Sequence, residues 1–253
     1  MRSRNPLVVE AARVYFRSWR LLLTYQLYVA LLAVILVFSW PKDHYFYFVQ
    51  FDKTPATYSV VVVSLLLILA VMSTHFGGDG IGRREIHPLD DWLRYTGVSV
   101  VGILQGKLFF AAIHTLLLAL LAVPCLVVAA SPSGIPMKAI PLSMLVISVC
   151  SLTYRAIALL VTVVLEGYPF AVFLVRWSAS GFLLFGTLTV FPRANPLQAL
   201  LRLTASGDRA WSFSLFVHTL VVHAVLLAVV TLVSLVALGI QRVRVRTSEE
   251  GAV

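Results

Sequence analysis

The sequence predicts an all-α integral membrane protein: six transmembrane helices, an N-terminal interfacial amphipathic helix, and a cytoplasmic helix between spans two and three. Three observations lead there. The 253-residue chain is 60% hydrophobic and only 12% charged, whereas a soluble domain is near half apolar and about a quarter charged. So little charge cannot cover a water-facing surface. Uncharged runs such as residues 21–40 and 58–76 are about 20 residues long, which at about 1.5 Å per residue matches a hydrocarbon core roughly 30 Å thick. Backbone groups in lipid must be satisfied internally, so these runs are helices. Finally, the arginines gather at the ends of the runs, which assigns the formal net charge of +9 to membrane orientation rather than to nucleic acid.

Residues 1–20 form the first unit. From Asn5 onward, Glu10, Arg13, Arg17 and Arg20 recur on one helical face and Val9, Ala12, Phe16 and Trp19 on another. Such a helix lies in the headgroup layer, its arginines near anionic lipid and its aromatic rings at the boundary. A frayed basic leader is the plainer alternative. A cleavable signal peptide fits poorly, because the apolar run is too long for an h-region and ends in Phe38-Ser39-Trp40-Pro41 rather than small-x-small.

The membrane domain occupies residues 21–240. Span one is 21–40, followed by an aromatic-rich turn at 41–57 that suits headgroup depth. Span two is 58–76 and span three 108–130, with Pro124 as a kink site. Pro132, Gly134 and Pro136 make 131–137 a tight turn. Residues 138–191 hold too much apolar sequence for one span. Two spans are favoured, 139–165 and 170–191, turning at Glu166-Gly167-Tyr168-Pro169; three short spans are the alternative. Asn195-Pro196 opens a short amphipathic segment, span six is 213–240, and 241–253 is a polar cytoplasmic tail.

Charge bias arbitrates between these topologies. With six spans, thirteen of the 20 Lys and Arg residues fall on one side, including Arg83, Arg84, Arg94, Lys107, Arg176, Arg242, Arg244 and Arg246, and six fall on the other. The richer side should be cytoplasmic, which places both termini there. Seven spans would put the triple-arginine tail outside.

Residues 77–107 read GGDGIGRREIHPLDDWLRYTGVSVVGILQGK. Pro88 suits a first helical turn, where its missing N–H costs nothing. Asp90 and Asp91 complement the positive helix end. Asp90 and Arg94 can pair across one turn, and Leu89, Trp92, Leu93 and Tyr95 supply apolar area. A short helix at about 87–96 is expected, either a docking knob built around Trp92 or a solvated helix lying on the lipid surface. The glycines at 77–82 lack the Gly-Lys-Ser/Thr ending of a phosphate loop. No HExxH, GxSxG or paired intramembrane acid appears.

Charges in lipid default to function. Arg155, with Tyr154 beside it, could face a substrate path and meet an anionic headgroup; pairing inside the bundle or snorkelling are the alternatives. His114, His218 and His223 fit bundle hydrogen bonds better than metal ligation. Cys125 and Cys150 read as small apolar residues with no metal partner.

The 77–107 segment resembles the second cytoplasmic segment of ABC-2 type transporter permeases. Arg83, Arg84 and Glu85 match that family's charged exit from span two, 89–95 its acidic-apolar helix, Gly97-Val98-Ser99 its Pro-Val-Ser turn, and Ile103-Leu104-Gln105-Gly106-Lys107 its approach to span three. Gly97 replaces the proline, and Val100 and Val101 replace basic residues. Asn195-Pro196-Leu197 with Arg202 resembles the family's Asn-Pro motif before the last span. The resemblance implies that Leu89, Asp90, Asp91, Trp92, Leu93 and Arg94 form a coupling helix seated in an ATPase subunit. It implies export from the bacterial cytoplasmic (inner) membrane of a hydrophobic or amphipathic cargo, lipid-like, drug-like or peptide. The partners would be ABC ATPase subunits carrying ATP and Mg, a second permease copy or a homologous permease, and membrane lipids; this chain would bind no cofactor or nucleic acid and would not itself be an enzyme. A membrane scaffold or sensor and an ion-coupled carrier are the competing functions.

Overall fold

The computed structural model describes residues 19–40, 56–79, 98–165, 168–204 and 209–250. The expected interfacial residues Arg13 and Arg17, the side chain of Arg20, and the candidate coupling residues Leu89, Asp90, Asp91, Trp92, Leu93 and Arg94 lie outside that description. The described chain is helical, without strands, and six of its helices are long and apolar enough to cross a membrane. They are α1 (Trp19–Ser39), α2 (Thr57–Asp79), α3 (Val100–Ala130), α4 (Ala139–Val164), α5 (Pro169–Val190) and α7 (Arg209–Glu250). The short helix α6 (Pro196–Thr204) precedes the last of them. The chain thus has the make-up of a multi-pass membrane protein, and residues 138–191 supply two of its six long apolar helices.

Two elements run further than their composition suggests. Helix α3 begins at Val100, not near 108, because Ser99 caps it: the Ser99 hydroxyl accepts the Gly102 N–H at 3.0 Å. Its 31 residues reach about 45 Å, beyond a roughly 30 Å core, so Lys107 can sit near its watery end. Helix α7 continues for 42 residues to Glu250, through most of the expected polar tail. Two contacts hold this extension: Gln241 Nε2 donates to the Val163 carbonyl at 2.6 Å, and Arg242 donates to the Val98 carbonyl at 2.9 Å. The first serves one of the orphan carbonyls of the last turn of α4.

Hydrogen bonds also show how the helices alternate. At one end of the bundle, Thr57 donates to the Ser39 carbonyl at 2.8 Å, and the Tyr58 N–H donates to Ser133 Oγ at 3.1 Å. The turn after α3 is therefore packed against the junction of α1 and α2. Gly134, at φ 60°, makes the left-handed step of this turn that a Cβ would oppose. At the opposite end, the contacts of Gln241 and Arg242 gather the start of α3 and the ends of α4 and α7. Six alternating passes bring Trp19 and Glu250 to this same end.

Helix α4 is the centre of the bundle and packs against α2, α3 and α7. The apolar core joins Leu65, Leu66 and Leu69 of α2 with Leu118 and Leu126 of α3, Val146 and Ile147 of α4, and Leu200 of α6. Small polar residues, Ser143, Ser151 and Thr153, let neighbouring helices approach α4 closely. By contrast, α1 and α7 expose long apolar faces such as Leu27, Val37, Phe38, Val225 and Leu232. Lipid tails solvate such faces as well as protein would. Helix α6, only nine residues long, is too short to cross; it folds Leu197, Ala199 and Leu200 against α2, α4 and α7 while Leu201 and Arg202 stay exposed.

Candidate functional site

A buried polar cluster among the described residues is built around Arg155. Its α4 position carries it between α2 and α3, and only 3% of its surface remains exposed. Its Nη2 lies 2.5 Å from His114 Nδ1 on α3, and its Nε 3.5 Å from Ser73 Oγ on α2. Ser73 Oγ is 2.5 Å from Ser151 Oγ, which lies 3.5 Å from Thr115 Oγ1. The Tyr25 ring of α1 meets the His114 ring edge-on, centroids 5.8 Å apart. Three helices, α2, α3 and α4, thus meet at one guanidinium, and Tyr25 of α1 adjoins the cluster through His114.

The electrostatics follow from composition. A guanidinium can only donate, so His114 Nδ1 accepts and its proton sits on Nε2. None of the six long apolar stretches contains an Asp or Glu. The guanidinium of Arg155 meets neutral imidazole and hydroxyl dipoles at His114 and Ser73. The bundle pairing of Arg155, rather than snorkelling, is the arrangement found.

Tyr154 does not share that environment. One residue along the helix turns it towards α7, where it is fully buried with its ring edge-on to His223, centroids 6.5 Å apart. Thr153 donates to the His223 carbonyl at 3.2 Å, and His223 Nδ1 lies 3.0 Å from the Thr219 carbonyl. His223 thus serves an interhelical contact while His218 is exposed. Cys150 is buried in the core and Cys125 partly buried, both as free thiols. Among the described residues no three His, Cys, Asp or Glu side chains converge as a metal site would require.

A second buried cation is not apparent in the sequence. Arg176 of α5 is only 6% exposed, and its Nη2 donates to Thr162 Oγ1 of α4. Thr162 stands seven residues after Arg155, two turns along the same face of α4 and about 10 Å away. By sequence alone Arg176 has the look of an interfacial charge, because it lies near the start of a span. Its burial becomes visible only when α5 is seen against α4, with Thr74 donating to Ser180 at 2.7 Å from the α2 side.

Asn195 has a defined structural task. It is fully buried. Its Nδ2 donates to the Leu184 carbonyl at 2.9 Å and to Thr187 Oγ1 at 2.7 Å, while its Oδ1 accepts the Gln198 N–H at 3.1 Å. Leu184 lies within a π-helical turn, Phe182–Gly186, where widened bonding redirects backbone carbonyls. One amide thus serves that turn and caps α6, and Pro196 follows at the first helical position, where proline is preferred. Trp19, the one expected interfacial residue whose side chain is described, opens α1 and is 70% exposed. No protein-family model, curated protein or solved structure matches this chain.

Proposed function

We propose that the chain is the permease subunit of an ATP-driven ABC-2 type exporter whose ATPase is a separate polypeptide. The observation that carries the reading is the place of the 77–107 segment, which links the second and third of six apolar helices. That is where the family resemblance puts the ATPase contact. The Asn195-Pro196-Leu197 motif supports it by opening the short helix before the last crossing. On this reading Leu89, Asp90, Asp91, Trp92, Leu93 and Arg94 take up the ATPase movement, and α2 and α3 carry it to the bundle centre. Both termini and this segment face the cytoplasm of a bacterial inner membrane. A second permease copy or a homologous permease completes the complex, and ATP and Mg reside on the ATPase.

Arg155 and Arg176 give the reading chemical content. Two buried guanidinium groups, Arg155 on α4 and Arg176 of α5 set against Thr162 of α4, would attract the anionic group of an amphipathic cargo once the helices around them part. The test is affinity purification of the full chain in mild detergent with identification of co-eluting proteins. A near-stoichiometric ATPase bearing a phosphate loop is the expected companion. Recovery of the chain with no nucleotide-hydrolysing partner would overturn the proposal.

A further inference from the structure

A cleft of about 140 Å³ opens at the end of the bundle where α5 gives way to α7, lined by Arg193, Ser214, Leu215 and His218. We propose that this cleft binds the phosphate of a phospholipid whose acyl chains lie along the exposed face of α7. The proposal is independent of the transport reading.

The chemistry of the lining comes first. Arg193 offers a planar fork of N–H donors matched to phosphate oxygens, Ser214 a hydroxyl, and His218 a ring N–H. Among the four lining residues none is acidic. Arginine carries five N–H donors, so it can hold a phosphate alongside its other contacts. Pockets that engulf drug-sized ligands measure roughly 300–1,000 Å³. A cleft of about 140 Å³ suits a headgroup fragment with the rest of the molecule outside.

Depth is the second argument. The apolar stretch of α7 begins at Ser214, and His218 is four residues, about 6 Å, further in. Arg193 sits in the Pro192–Ala194 turn, just past the apolar end of α5 at Val190. The cleft therefore lies at the boundary of headgroups and hydrocarbon, where lipid phosphates reside. Its walls are tied together, because Thr219 donates to the Arg193 carbonyl at 3.4 Å.

The third argument is what adjoins the cleft. Val221, Val222, Val225 and Val229 follow His218 at helical spacing and are exposed by 40–58%. From His218 to Val229 is about 16 Å of helix, close to half of a roughly 30 Å hydrocarbon core. A phosphate in the cleft would thus have an acyl-sized apolar track leading directly from it into one leaflet.

The experiment places the full chain in phosphatidylcholine nanodiscs doped with photoactivatable phosphatidylglycerol and maps the cross-linked peptides. Labelling is expected at the 193 turn and the first turns of α7. Arg193→Gln and His218→Leu should each weaken that labelling about tenfold, the scale of one lost charge-assisted hydrogen bond. Both side chains are exposed, so the fold should survive, and a monodisperse elution profile checks this. Arg202→Gln, an exposed arginine outside the cleft, should leave labelling unchanged. Equal loss in Arg202→Gln, or labelling that maps elsewhere, would overturn the site. Millimolar inorganic phosphate should not displace the lipid; if it does, the cleft takes free phosphate and the lipid assignment fails.

Discussion

Arg155 Nη2 and His114 Nδ1 face one another at 2.5 Å across the contact of α4 with α3. The histidine ring nitrogen acts as an acceptor for a buried cation. Removing it takes one acceptor from a buried cation, whereas removing both members also removes the charge that needed it. His114→Ala should therefore lower stability in detergent by about 1–3 kcal/mol. His114→Gln, whose amide oxygen can also accept, should recover much of the loss. The double variant His114→Leu with Arg155→Leu should be milder than His114→Ala alone. Thermal unfolding followed by size-exclusion fluorescence checks the order; equal midpoints for Ala, Gln and wild type would remove the pairing as a source of stability.

Asn195 makes a sharper case, because its two ends do separable work. Asn195→Asp keeps the oxygen that caps α6 but loses the N–H₂ that serves the Leu184 carbonyl and Thr187. Asn195→Ala loses both. A lost cap costs about 0.5–2 kcal/mol, and a buried polar group left unserved about 1–3 kcal/mol. Asn195→Asp should be destabilising, also for placing a carboxylate in a fully buried site, and combining it with Thr187→Val should add little beyond Asn195→Asp alone. Denaturation midpoints in one detergent settle the comparison. Additive losses for Asn195→Asp and Thr187→Val would mean that the Thr187 hydrogen bond is not shared.

What can be read from the sequence follows what the lipid dictates. Apolar length places α1, α2 and α4 to within three residues at either end, and Pro132, Gly134 and Pro136 locate the turn after α3. Lys107 misplaces the start of α3, because a charge suggests the end of a span although its long side chain can reach the interface. The tail reads as polar and separate, yet no glycine or proline interrupts 241–250, and α4 supplies the Val163 carbonyl as an anchor. Arg155 stands out as an isolated charge, but its partners do not: Ser73 and His114 come from two other helices at no fixed spacing. The Arg193 cleft is illegible for the same reason, since its residues lie on separate elements.

The alternation of the helices makes a topological prediction. Ser131, in the turn after α3, and Thr247, near the end of α7, lie at opposite ends of the bundle and are both exposed. With Cys125 and Cys150 replaced by alanine, Ser131→Cys in intact cells should react with a membrane-impermeant maleimide. Thr247→Cys should react only after permeabilisation, since the arginine-rich side should face the cytoplasm. The reverse pattern would invert the orientation, and labelling of both from one side would break the six-pass arrangement.

The proposed coupling segment gives the most direct functional prediction. A coupling helix acts through an interface that substitution can abolish without disturbing the membrane fold. Trp92 supplies the apolar area and Arg94 a charge on the same short stretch. Truncating a central aromatic anchor commonly costs about 2 kcal/mol or more at a protein interface, roughly thirtyfold in affinity at about 1.4 kcal/mol per tenfold. Trp92→Ala combined with Arg94→Glu should therefore abolish ATPase recovery in pull-down and stop transport, while membrane insertion and the elution profile stay as in wild type. Leu108 and Phe109, beyond the segment and within α3, provide the contrast: Phe109→Leu on the exposed face of that helix should leave both readouts intact. Undiminished ATPase recovery and transport in the Trp92 and Arg94 double variant would separate this segment from force transmission.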